Sequence, residues 1–165
     1  MRIRLEQPSD RSAIATLVTA AFGRSAEADL IDRIRHSDRA WLSLVAEQNN
    51  QIVGHVLLSE VDLIGESVRS VWALAPIAVH PDCQRQGIGT ALVAAASEQT
   101  TATDYPLIVV LGHADFYARC GFAEAATFGI TAPFSVPSPA FRIKRLPAYK
   151  GEWGAIAYPA AFDGL

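Results

Sequence analysis

The chain is short of the residues that build covalent or metal-stapled folds. Of its 165 residues only two are cysteine, Cys83 and Cys120. They form no CxxC pair, and no His/Cys group has zinc-ligand spacing, so neither a disulfide framework nor a structural zinc site is expected. Positive charge is not in excess: 14 Lys+Arg face 17 Asp+Glu, a net charge of -3. That removes the basic footprint of a nucleic-acid binder. Long apolar runs are missing as well. The longest uncharged stretch, 125–141, is interrupted by Gly129, Pro133, Pro137 and Pro139, which rules out a membrane helix there. The start, MRIRLEQPSD, lacks the apolar segment of a secretory signal. No internal repeat or low-complexity tract is visible. With half of the residues hydrophobic and 19% charged, the chain reads as one globular domain, 1–165, with an apolar tail at 147–165. A reducing cytoplasm is its expected compartment.

What is present is a run of periodic segments. Arg2–Glu6 alternates as a strand. Pro8, Ser9 and Asp10 supply helix-start chemistry. Ile14, Leu17, Val18, Ala21 and Phe22 then share one helical face, and Gly23 ends that helix. A second helix is expected from about Glu27 to His36. Trp41–Glu47 and Ile52–Ile64 read as strands joined by an Asn49-Asn50 turn. Val68–Val79 is a third strand, with Pro76 marking an edge or bulge. Residues 87–99 are helical, Leu107–Leu111 is a fully apolar strand, and Asp115–Cys120 is a short helix closed by Gly121. Phe122–Thr127 and Phe141–Leu146 complete the strands. Trp41, Trp72 and Phe22 are read as core. The order is β α α β β β α β α β β, an α/β (α+β) arrangement with a mixed sheet and helices on its faces.

The stretch Val79-His-Pro-Asp-Cys-Gln-Arg-Gln-Gly-Ile-Gly-Thr90 carries the chemistry. Gly87 and Gly89 allow a tight turn and close approach to a ligand. The first amides of the following helix have no intrahelical partner and favour an anion such as phosphate. Arg85 adds charge at the rim, and Gln84 adds a hydrogen-bonding group. The P-loop pattern fails for want of a lysine, and the Rossmann pattern fails because its third glycine position is Leu92.

Gln84-Arg-Gln-Gly87-Ile-Gly89 does match [QR]xxGx[GA]. With Phe116-Tyr-Ala-Arg-Cys-Gly-Phe122, which is similar to a YxxxGF element, it resembles the general N-acetyltransferase (GNAT) superfamily from Arg2 to Leu146. The resemblance implies an acyl-CoA N-acyltransferase fold: a mostly antiparallel, splayed sheet of six to seven strands with helices on both faces. It also implies acetyl-coenzyme A as cosubstrate and no metal. Pantetheine contacts fall on the backbone of Ile77, Ala78 and Val79. Pyrophosphate contacts fall on the backbone of Arg85, Gln86, Gly87, Gly89 and Thr90. Gln84, Ile88, Gly112, Phe116 and Tyr117 join the coenzyme set, and Val110 departs from the family by replacing an asparagine.

The chemistry so implied is direct attack of a primary amine on the thioester. An amide N–H at Ile77 or Ala78 stabilises the oxyanion, and Tyr117 protonates the leaving thiolate. Glu60 is the favoured base; His55, on the opposite face of the same strand, and His113 with Asp115 are the alternatives. The acceptor is expected to be a small-molecule or peptide amine, with neither nucleic acid nor membrane as partner. A homodimer through the last strand and tail is a further expectation. The competing readings are a non-catalytic coenzyme-binding module and an enzyme using another acyl donor or acceptor. The chain also resembles a bacterial subgroup of predicted N-acetyltransferases, which adds no substrate.

Overall fold

The computed structural model describes residues 1–164. Four helices and nine strands are present among them: β1 (Arg2–Leu5), α1 (Arg11–Phe22), α2 (Ala26–Arg35), β2 (Trp41–Gln48), β3 (Gln51–Ile64), β4 (Val68–Val79), α3 (Ile88–Thr100), β5 (Leu107–Leu111), α4 (Ala114–Arg119), β6 (Ala123–Glu124), β7 (Ile130–Thr131), β8 (Phe141–Arg145) and β9 (Gly154–Ala157). The main strand path is β1-β2-β3-β4-β5-β8-β6. It is antiparallel in its β1–β2, β2–β3, β5–β8 and β6–β8 pairings and parallel at β4–β5. These seven strands make the mixed, mostly antiparallel sheet of the expected acyltransferase fold; β7 and β9 pair outside that path. The chain divides into two compact units, with β3 passing from one to the other after Ser59 and β4 after Leu74.

The first unit comprises residues 1–59, 75–96 and the stretch from Ala161 onward. Asn49 and Asn50 both take left-handed φ values, 50° and 60°. That is the geometry of a two-residue hairpin turn, and asparagine tolerates it. On β3 the side chains alternate between two faces. Leu57 joins Val45 and Ala78 under α1 and α2, whose inward residues are Ile14, Leu17, Val18, Leu30, Ile31 and Ile34. Gly54 has the opposite parity and lies against Ile88 and Leu92 of α3. Helices therefore cover both faces. Phe22 departs from its expected place: it is 42% exposed, at the last turn of α1 and beyond the buried stripe.

The second unit comprises residues 60–74 and 97–160. The β4–β5 ladder is two pairs long, Trp72 with Ile108 and Ala73 with Val109. The β5–β8 ladder has five pairs, from Leu107–Arg145 to Leu111–Phe141. The strand expected at Phe122–Thr127 shrinks to Ala123–Glu124, because a 3-10 turn takes residues Ala125–Phe128. The tail contributes β9, which the sequence reading did not identify. It pairs antiparallel with Asp62–Ile64 and parallel with β7. Gly154 makes that approach possible. A Cβ there would stand 2.3 Å from the Ile64 carbonyl oxygen, and its φ is 139°. Because β8 pairs with β5 and β6, and β9 with β3 and β7, both strands already have neighbours on both edges.

Candidate active site

The glycine loop lies in the first unit, between β4 and α3. It is tied down before it begins. The His80 N–H donates to Val53 O of β3 at 2.8 Å, and a 3-10 turn over Pro81–Cys83 follows. The Gln84 side chain then folds back, its Nε2 donating to Val79 O at 3.2 Å. Arg85 and Gly87 both adopt left-handed φ, 62° and 83°. Such residues form the backbone concavities that bind anions. For Arg85 this conformation costs about 1 kcal/mol.

The first intrahelical bond of α3 is Ala91 N–H to Gly87 O at 3.0 Å. The N–H groups of Ile88, Gly89 and Thr90 therefore precede the internal ladder, as an anion cradle requires. Gln84, Arg85, Gln86, Gly87 and Thr90 are exposed. Ile88 is 2% exposed and spends its side chain on Gly54, so only its backbone can serve a ligand. On β4, Ala78 is buried with the α1/α2 core, whereas Ile77 and Val79 are half-buried.

In the second unit, Tyr117 is 6% exposed and packs edge-on against Phe116 and Phe122, at centroid distances of 5.0 and 5.6 Å. Burial raises its phenol well above the ordinary tyrosine range, and Cys120 pushes the same way. The hydroxyl has no hydrogen-bond partner among the described residues. Gly112 is shaped by this ring: a Cβ would meet Tyr117 Cε2 at 2.9 Å. Its N–H is bonded to Ala140 O at 3.0 Å, which leaves its carbonyl for any ligand. Val110 is buried in β5, and His113 and Asp115 are exposed at the start of α4.

Glu60 and His55 occupy different surroundings. Glu60 is half-buried and accepts a hydrogen bond from the hydroxyl of Tyr105, on the connection between α3 and β5. The Tyr105 ring in turn leans on Trp72, 4.7 Å between centroids. His55 has no exposed surface. Its Nε2 lies 2.8 Å from Ser43 Oγ, and Ser43 donates to Glu6 Oε1 at 2.8 Å. Glu6 is also gripped by Arg35, whose Nη2 and Nε lie at 2.5 and 3.0 Å. Burial, then the Arg35 charge, pushes the His55 imidazole down to about 3. An imidazole so enclosed cannot take a proton from an incoming amine, which removes His55 from the candidate bases. The partners Ser43, Glu6, Arg35 and Tyr105 were missed in the sequence, since tertiary pairing leaves no local pattern. Gly54 did carry a signal: a glycine inside a strand marks close approach of another element.

No group of three or more His, Cys, Asp or Glu side chains among the described residues is placed to hold a metal. No described helix is long and apolar enough to cross a membrane.

A loop of unpaired helix-start amides after a strand, in this strand order, defines a class. The family model for the acetyltransferase (GNAT) domain matches residues 39–124. The chain belongs to that family, and so to the acetyl-coenzyme A-dependent acyltransferases. Among its relatives is the N-acetyltransferase YhbS of Escherichia coli K12, 32% identical with 99% of each chain covered. The crystal structure of E. coli YhbS in complex with CoA has a TM-score of 0.90 at 31% identity, covering 98% of this chain and 91% of that one. A GNAT acetyltransferase from Brucella melitensis in complex with acetyl-CoA has a TM-score of 0.81 at 30% identity, covering 98% and 97%.

Proposed function

We propose that this protein transfers the acetyl group of acetyl-CoA to a primary amine of a small molecule or peptide. The amides at Gly87–Thr90, which precede the internal ladder of α3, hold the pyrophosphate, and the backbone of Ile77, Ala78 and Val79 holds the pantetheine. The amine attacks the thioester carbonyl, and an amide N–H at Ile77 or Ala78 stabilises the resulting oxyanion. Collapse of that intermediate expels the CoA thiolate, which takes a proton from Tyr117. Glu60 accepts the proton of the amine.

One observation carries the reading: Tyr117 is packed into the second unit with only 6% of its surface exposed, and its hydroxyl is bonded to no described residue. Burial keeps the phenol protonated throughout the working range, so it is present as a donor whenever a thiolate forms. YhbS binds CoA and the Brucella relative binds acetyl-CoA, which supports the same coenzyme here.

Thiol release from acetyl-CoA against a panel of amines and peptides tests the reaction. Tyr117→Phe should lower turnover about 10- to 100-fold, below the roughly 10²- to 10⁴-fold usual for a general acid because a thiolate already leaves readily, with the CoA dissociation constant unchanged. Full turnover in that variant would refute the acid role. Tight CoA binding without release to any acceptor would refute catalysis.

A further inference from the structure

The coenzyme loop hangs from an irregular place in the sheet. In the β2–β3 ladder Ala46 faces Gly54 and Glu47 faces Ile52, so Val53 is an extra residue on β3. This is a β-bulge, which bends the strand and leaves one residue outside the regular pairing. The Val53 carbonyl is the acceptor for the His80 N–H, at 2.8 Å. The next residue, Gly54, is the floor on which Ile88 and Leu92 of α3 rest. Both ends of the loop are thus referred to the bulge: its start through His80, its end through α3.

A bulge can move along a strand by a residue, and such a slip reverses every side chain it passes. Something must hold it in place. His55 pairs with Val45 in the regular ladder immediately beyond the bulge. Its side chain reaches diagonally to Ser43, the first member of a buried chain through Glu6 to Arg35 of α2. The protonation pattern of this chain follows from its bonds. Ser43 has one hydroxyl hydrogen, and it goes to Glu6. The serine oxygen must therefore accept from His55, which makes the imidazole an Nε2–H tautomer. Its Nδ1 has no partner among the described residues. The arrangement is not a nucleophile triad, because the carboxylate bonds the serine rather than the ring and His55 is fully buried.

We propose that His55 is a positioning residue of the coenzyme loop: through Ser43, Glu6 and Arg35 it pins the bulge at Val53 that anchors His80 and seats α3. This rests on the reading that residues 84–90 hold the CoA pyrophosphate. His55 touches neither coenzyme nor acceptor, so its effect is on coenzyme affinity and not on the chemical step.

The test is CoA affinity by titration calorimetry together with hydrogen exchange at the His80 amide. His55→Leu removes the ring N–H and should weaken CoA binding by roughly fivefold or more. Its His80 amide should exchange faster by more than the fall in global stability accounts for. His55→Gln places an amide N–H where Nε2 stood and should restore both. Ser43→Ala cuts the chain while keeping the ring, so it decides the matter if His55→Leu does not fold. Wild-type CoA affinity and His80 exchange in a folded Ser43→Ala protein would overturn the proposal. So would failure of Ser43→Ala to fold, because the chain would then support the unit as a whole rather than the loop. Gly89→Asp separates the underlying reading: it puts a carboxylate into the cradle and should abolish CoA binding. If Gly89→Asp binds CoA normally, the loop assignment is wrong. If it does not bind, and His55→Leu binds as wild type does, only the positioning role fails.

Discussion

Gly54→Ala probes how closely the coenzyme loop depends on β3. The new Cβ would stand 2.9 Å from Ile88 Cγ2, 2.9 Å from Leu92 Cδ1 and 3.3 Å from Ala46 Cβ. Leu92 Cδ1 is the far end of a side chain and can rotate away. Ile88 Cγ2 sits on a β-branched stem with one preferred rotamer in a helix, so α3 itself has to yield. Overpacking of this kind costs about 1–3 kcal/mol. Replacing a glycine also narrows the unfolded ensemble, which offsets about 0.4–1 kcal/mol. The net is about 0.5–2 kcal/mol of lost stability, a fall in melting temperature of roughly 1–8 °C at this chain length. Because Ile88 opens the helix whose first amides are proposed to hold the pyrophosphate, CoA binding should weaken several-fold. Calorimetric melting and CoA titration measure both effects. Adding Leu92→Ala gives an internal check. Leu92→Ala alone should cost about 2–5 kcal/mol, but the double variant should fall short of the sum by about 1 kcal/mol, since the leucine is part of the clash. A Gly54→Ala protein that melts at or above wild type and binds CoA equally well would refute the packing argument.

Three more outcomes follow from the buried charges and from the role proposed for Glu60. Arg35→Met should lower stability by about 1–3 kcal/mol, because it leaves the buried Glu6 carboxylate with the Ser43 hydroxyl and the half-exposed Arg11, 3.7 Å away, as its remaining partners; chemical denaturation measures it, and a loss under about 0.5 kcal/mol would show that the Arg35 pair contributes little. The folded-state pKa of His55 is depressed to about 3, while the unfolded imidazole titrates near ~6.5. The unfolded chain therefore binds the extra proton between those values, and stability falls as pH drops below ~6.5 by up to about 1.4 kcal/mol per pH unit. Denaturation between pH 7 and pH 5 should show a shallower slope for His55→Gln; equal slopes would contradict the burial of a neutral ring. Glu60→Gln should reduce turnover most at low pH, where the acceptor amine is protonated, and leave CoA affinity intact. A flat response in a pH–rate profile would assign Glu60 to holding Tyr105 alone.

The fold was legible where periodicity was long. The stripes of α1 and α2 and the alternation of β2 to β4 each span enough residues to fix type and face. The short elements were not. β6 and β7 have two residues each, too few for any period to register. β9 exists because Gly154 lets the tail lie against Ile64, a tertiary condition with no local cue beyond one glycine. Phe22 was misplaced for a related reason: it continues the helical stripe of α1, but the core it would join has ended.

The candidate site divides along the same line. The shape of the loop could be read because glycine spacing reports backbone geometry directly, and Arg85 and Gly87 do take left-handed φ ahead of α3. The short helix that carries Tyr117 could be read because its motif is local. What the sequence hid is the apparatus behind these groups. Glu6, Ser43, His55 and Arg35 come from β1's end, β2, β3 and α2, and nothing in their spacing announces a chain of hydrogen bonds. The histidine was visible but invited the wrong role, since a titratable ring on a strand near the signature suggests a base. Burial reverses that inference. Desolvation holds the ring neutral, its one N–H goes to Ser43, and that bond fixes the bulge from which the loop is hung. Residue identity named the chemistry available at position 55, and only its surroundings decide that the chemistry is structural.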